Sequence, residues 1–208
     1  MSAAATPTRG SRSADTRARV LRAATAAICE RGLFNTRVAD IAARAGMSPG
    51  NVMYHFPSLE EMLIEALRFA NHGYLDEAVR EAQSCPSARA ELLRLLELGM
   101  PSDPADEPHS QWLLWLDVWA RSLRNATVDA HRRDLEARWI AAYAGIVGRG
   151  QAAGEFAAGV DAHDFAVRLA ALVDGLGKSL ILRDPWMTRA RMLAACAAMV
   201  DRELAPTP

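Results

Sequence analysis

An all-α fold of about nine helices is what this sequence predicts, and three observations predict it. Apolar residues recur at helical spacing along nearly the whole chain. No sustained alternation of β-branched and aromatic residues marks a strand. Helix-capping residues recur ahead of the apolar-periodic segments. With 208 residues, 50% of them hydrophobic and 24% charged, the chain can bury one or two cores.

Taken in order, residues 1–15 are rich in Ala, Ser, Thr and Arg and predict a disordered basic arm. They hold no hydrophobic stretch of the signal-peptide kind, and no apolar run in the chain is long enough to span a bilayer, so a cytoplasmic protein is expected. Helices over 16–31, 37–45 and 49–55 make a three-helix domain within 16–58. Helices over 59–83, 87–99, 110–124, 128–153, 161–182 and 186–203 make a second domain over 59–208. Ser58 with Glu61 is a capping box for the fourth helix, Asp161 and Asp164 cap the eighth, and Asp184-Pro185 opens the last. Met100 to Pro108, with three prolines and three acids, is the one clear loop.

The net charge of −1 hides an asymmetry. Residues 1–57 carry eight Arg against Asp15, Glu30 and Asp40, a net of +5, which leaves −6 on the rest. Such a split suits one domain that faces a polyanion and another that does not.

The segment VADIAARAGMSPGNVMYHF carries the chemistry. Ile41 and Ala45 point inward from one helix face, and Ala42 is small enough for a second helix to cross close by. Gly46 falls where a tight turn needs φ > 0. Met47 plugs the corner and Val52 anchors the following helix. This is helix-turn-helix spacing. Ser48 caps the second helix and Pro49 fills its first turn. Gly50 lets the backbone approach a base edge or phosphate. Asn51 offers an amide that can read adenine in the major groove, and Tyr54 and His55 can reach phosphate oxygens.

From Arg17 to Leu67, and most specifically at Gly32-Leu33-Phe34, Thr36, Ile41-Ala42, Ala45-Gly46, Ser48 and Tyr54-His55-Phe56, the chain resembles the TetR family of bacterial regulators. The resemblance implies a homodimer on double-stranded, palindromic operator DNA, with a helical C-terminal domain that binds a small effector and dimerises. It places the DNA contacts at Thr36, Ser48, Asn51, Tyr54 and His55, supported by Arg37 and Arg44, beside the Pro49-Gly50 start of the reading helix. Members commonly carry Lys where this chain has Leu59, so the phosphate clamp differs here. Residues 109–186, through WLLWLDVWARSLRN and VDGLGKSLIL, resemble the regulatory domain of a TetR subgroup that includes the choline-pathway repressor.

Trp112, Trp115 and Trp119 fall within about 60° of one helical face, with Leu116 beside them. Two readings fit: a core stripe, or the aromatic wall of an effector pocket for flat or cationic ligands. Trp139 and Trp186 are the other two of the five tryptophans. Gly177-Lys178-Ser179 has the ending of a phosphate-binding loop, but Leu172 occupies the place of its first glycine, so nucleotide binding is not expected. Cys29, Cys85 and Cys196 lack paired spacing and the five histidines lack ligand spacing, so neither a metal nor another cofactor is expected. No catalytic constellation stands out, and the chain is not expected to be an enzyme.

Two apolar stripes predict the assembly. One runs through Phe165, Leu169, Leu172, Val173, Leu176 and Leu180, with Asp174 and Lys178 opposite as an exposed ion pair. The other is MLAACAAMV, with Met192, Ala195 and Met199. Paired with their copies they would form a four-helix dimer interface. The expected function is a ligand-released repressor. Its rivals are an activator or ligand-independent regulator of the same fold, and a helical binding protein without a role on DNA.

Overall fold

The computed structural model describes residues 9–32, 35–102 and 111–206. Among these residues all regular structure is helical: α1 (Arg9–Arg31), α2 (Val38–Ala45), α3 (Pro49–Tyr54), α4 (Leu59–Ala82), α5 (Ala88–Gly99), α6 (Gln111–Ser122), α7 (Ala126–Ala152), α8 (Ala162–Ile181) and α9 (Arg189–Glu203). Residues 1–8 of the expected arm, Leu33-Phe34, and most of the expected proline-rich loop lie outside the described residues.

Helix starts follow the side-chain oxygens available to free backbone N–H groups. Glu61 N–H donates to Ser58 Oγ at 3.1 Å, and Asp164 N–H donates to Asp161 Oδ1 at 2.7 Å. Two expected starts are corrected. The first helix begins at Arg9, so 9–15 is helix and not arm. Asp184-Pro185 does not open α9. It lies in a turn, with Met187 N–H donating to the Asp184 carbonyl at 2.9 Å, and Thr188 caps the helix instead through Arg191 N–H at 3.2 Å.

The chain forms two compact units, residues 1–70 and 71–208, dividing inside α4 and not at residue 58. The reason is that the first half of α4 belongs to the N-terminal core. Met62 and Ala66 are buried there with Val20, Ala24, Ile28, Ile41, Val52 and Phe56. Thr25 Oγ1 donates to the Ala66 carbonyl at 3.2 Å, and the Arg17 guanidinium bonds Glu65, at 2.7 Å for Nη2 to Oε1, while lying 4.7 Å over the Phe56 ring. Arg17 is thereby engaged by its own unit.

In the C-terminal unit α7 packs on α5, α6 and α8, and α9 packs on α5 and α8. This corrects the expected interface. Phe165, Leu169, Val173, Leu180 and Met192 are buried in their own core, the first two and Met192 completely. The stripe on α8 is apolar because helices of the same chain cover it. Of the expected interface residues, Ala195 is exposed and Leu172, Leu176 and Met199 are half-buried. Asp174 is not an exposed partner of Lys178 either; it is half-buried and lines a cavity.

Candidate DNA-reading surface and ligand cavity

The reading surface is built around Gly46, whose φ of 63° puts the α2–α3 turn in the left-handed region. A side chain there would add strain of about 1–2 kcal/mol. Met47 N–H reaches back to the Ala42 carbonyl at 3.0 Å, while Ile41, Ala42, Ala45 and Val52 close the crossing beneath the turn. Ser48 caps α3 by accepting Asn51 N–H at 3.2 Å. The core thus holds one side of α3 and leaves the other to solvent. Ser48, Pro49, Gly50, Asn51 and Tyr54 are all exposed, Tyr54 by 85%. A Cβ built on Gly50 would meet nothing within 4 Å, so the fold does not demand glycine there. What the glycine does is keep the surface open.

Flanking residues divide. Arg37 is exposed, and its backbone N–H donates to Asp40. Arg44 is exposed and paired with Glu30. His55 is half-buried, its ring edge-on to Tyr54 with centroids 5.4 Å apart. Thr36 departs from expectation: it is buried, and its hydroxyl donates to the Gly32 carbonyl at 2.8 Å. That bond ties the start of the α1–α2 connection to its end and withdraws the hydroxyl from solvent. Leu59, the first residue of α4, is half-buried.

The C-terminal unit encloses a cavity of about 350 Å³, a size ordinary for small-ligand sites. Trp112, Trp115 and Trp119 of α6 form one side, Trp115 and Trp119 tilted with centroids 6.2 Å apart. Leu116 is not on the wall. The other side is Trp139 and Tyr143 of α7, with centroids 5.9 Å apart, and Tyr74 of α4. Two carboxylates complete it, Glu136 of α7 and Asp174 of α8.

Small residues set these rings. A Cβ on Gly177 would lie 2.5 Å from the Trp112 ring, and one on Gly99 would lie 3.0 Å from that of Trp139. Trp112 Nε1–H donates to the Gly99 carbonyl at 2.9 Å. Gly177, read in the sequence as part of a failed phosphate loop, is therefore the seat of an indole.

Sequence reasoning found three of the indoles and missed Trp139, Tyr74, Tyr143, Glu136 and Asp174. A signal was available for Glu136, Trp139 and Tyr143, whose i, i+3, i+7 spacing puts them on one face of α7. Nothing in the sequence pointed that face at α6.

Comparison with known proteins finds a separate match for each unit. Residues 20–66 match the bacterial regulatory proteins of the tetR family, and residues 88–205 match the C-terminal domain of BetI-type transcriptional repressors. The chain belongs to the TetR family. It is a DNA-binding transcriptional regulator by that membership. An HTH-type transcriptional repressor of Mycobacterium tuberculosis, KstR2, is 40% identical over 94 residues, so the chain matches 45% of that relative's length and of its own. A protein of Saccharomonospora viridis, described as a transcriptional regulator and solved in complex with choline, is 33% identical, with 92% of this chain and 98% of that one aligned at a TM-score of 0.77. A TetR-family protein of Rhodococcus sp. is 26% identical, aligned over 92% of this chain and all of its own, with a TM-score of 0.78.

Proposed function

We propose that this TetR regulator is a cytoplasmic homodimeric repressor, released from a palindromic operator when a small organic cation fills the C-terminal cavity. The observation that carries the reading is the cavity wall: four indoles, two phenols and two carboxylates around about 350 Å³. Aromatic faces attract a cation through their quadrupoles, most strongly where water is excluded, and a carboxylate adds the counter-charge. The choline held by the Saccharomonospora viridis protein supports a quaternary ammonium as the ligand class.

On the DNA side, Asn51 and Tyr54 of two α3 helices enter successive major grooves about one helical turn apart. Ser48, His55, Arg37 and Arg44 steady the backbone, Arg44 exchanging Glu30 for a phosphate. The dimer forms through the outward residues of α8 and α9, with Ala195 exposed beside the half-buried Leu172, Leu176 and Met199. Release is population shift: the ligand binds better to a dimer whose reading heads no longer match the operator spacing. The helix α4 starts directly after the reading segment and supplies Tyr74 to the cavity wall, which makes it the coupling element.

The test is fluorescence anisotropy on an operator selected from random DNA, with choline titrated in and light scattering run in parallel. The expected result is a dimer bound to full-length operator and dissociated by choline as tryptophan emission changes. A monomer on the operator, or an operator complex indifferent to every quaternary ammonium tried, overturns it.

A further inference from the structure

The two carboxylates of the cavity differ in what already holds them. Glu136 accepts Arg132 Nη1–H at 2.6 Å, and the same guanidinium bonds Asp129 at 2.8 Å. That cation is engaged by two acids. Asp174 has no hydrogen bond or ion pair among those of the described residues, although it lines the same cavity and is half-buried. A carboxylate in such a place costs free energy unless a cation joins it. Burial, with the nearby Glu136 adding and Arg132 opposing, pushes its pKa up to about 7.

The surroundings are otherwise neutral. From α7 the groups facing Asp174 are Glu136, Arg132 and the Tyr143 hydroxyl. Tyr74 comes from α4, its hydroxyl donating to the Leu98 carbonyl. Among the described wall residues, α6 contributes only indoles. Lys178, one turn along α8, is exposed, and α9 contributes no wall residue, its Cys196 lying behind Tyr143. Tyr143 is 2% exposed, and burial holds its hydroxyl neutral well above the ordinary phenol range. That hydroxyl also has no hydrogen bond among those of the described residues, leaving it a donor and acceptor at the cavity wall.

We infer that Asp174 is the counter-ion that sets the charge of the ligand. The cavity thus takes a compact organic monocation with a hydroxyl for Tyr143, and rejects the zwitterion of the same shape whose other end is a carboxylate. The inference rests on the cavity being a cation site. A carboxylate brought in by the ligand would face Glu136 and Asp174 with no free cation among the described wall residues to meet it, whereas a monocation cancels the charge that Asp174 leaves uncompensated. Binding then ionises Asp174 and releases its proton.

Three probes separate the contributions: choline, trimethylglycine (a carboxylate in place of the hydroxymethyl group), and the neutral isostere of choline with tert-butyl in place of trimethylammonium. Titration calorimetry on the full chain at about pH 8 should show choline binding at least about tenfold more tightly than either analogue. Because choline itself does not titrate, its affinity should fall by about tenfold per pH unit below about 7, with the proton released there visible as a dependence of the heat on the buffer. Asp174→Asn should close the gap between choline and its neutral isostere and flatten the pH profile. Tyr143→Phe should weaken choline and leave tetramethylammonium unchanged.

If no probe binds, the cation reading of the cavity fails and takes this inference with it. If choline binds but Asp174→Asn keeps both the selectivity and the pH profile, the counter-ion role alone is overturned. Should Asp174→Asn not fold, wild type decides: equal affinity for choline and trimethylglycine refutes the inference.

Discussion

Helix α3 turns one convex side of six residues to solvent, whereas the cavity draws its walls from α4, α5, α6, α7 and α8. At α3 the residues that hold the element in place, Val52 beneath and Ser48 at its cap, are different from those turned outward, Asn51 and Tyr54. In the cavity the same groups do both. Trp112 is a wall, and it is also packed on Gly177 and bonded to the Gly99 carbonyl. On the proposed function, binding and stability are therefore separable in the reading head and joined in the cavity.

The strongest way to break that contrast is at Gly177. Gly177→Ala puts a methyl 2.5 Å from the Trp112 ring, and relief of such overpacking costs about 1–3 kcal/mol. Thermal melts should show the loss, and calorimetry should show ligand affinity falling with it. A variant that melts like wild type and binds ligand normally would mean the indole moves freely, separating binding from stability there too.

Asn51→Ala should be a purely functional loss. Operator affinity should drop by about 1–3 kcal/mol with relaxed preference at one base position per half-site, while the melting temperature stays put because Asn51 is exposed. Base-by-base operator competition checks it, and an unchanged preference would move the reading face elsewhere on the unit. The smallest effect is expected at the other glycine. Gly50→Ala meets nothing in its own chain, so stability should hold or rise by up to about 1 kcal/mol. Operator binding should still weaken, since the added methyl occupies the solvent side that is proposed to face DNA. Unaltered operator affinity would show that the backbone of Gly50 stays clear of the duplex.

The reading head was legible because its determinants are local. A capping serine, a proline in the first turn, a glycine at the φ > 0 position and four small or aliphatic residues at fixed offsets all act within about four turns of chain. Resemblance to a known family then added the expected contact residues. It erred at Thr36 because a hydroxyl at that position can serve either DNA or its own backbone, and only the bend of the chain places the Gly32 carbonyl 2.8 Å away.

The α8 stripe shows a second limit. Its period said that Phe165, Leu169 and Val173 must be covered, but burial has no sign for whose atoms do the covering. Intrachain packing on α7 and α9 supplied them. The cavity is where tertiary structure decided most. Helical periodicity put Trp112, Trp115 and Trp119 on one face without telling core from pocket. Only the approach of α7 and α8 set Trp139, Tyr143, Glu136 and Asp174 against them. Sequence fixes which residues share a face of one helix, because that follows from the pitch of the backbone. Which faces meet, and whether they close tightly or leave room for a ligand, depends on the volumes of side chains far apart in the chain, such as Gly177 beneath an indole.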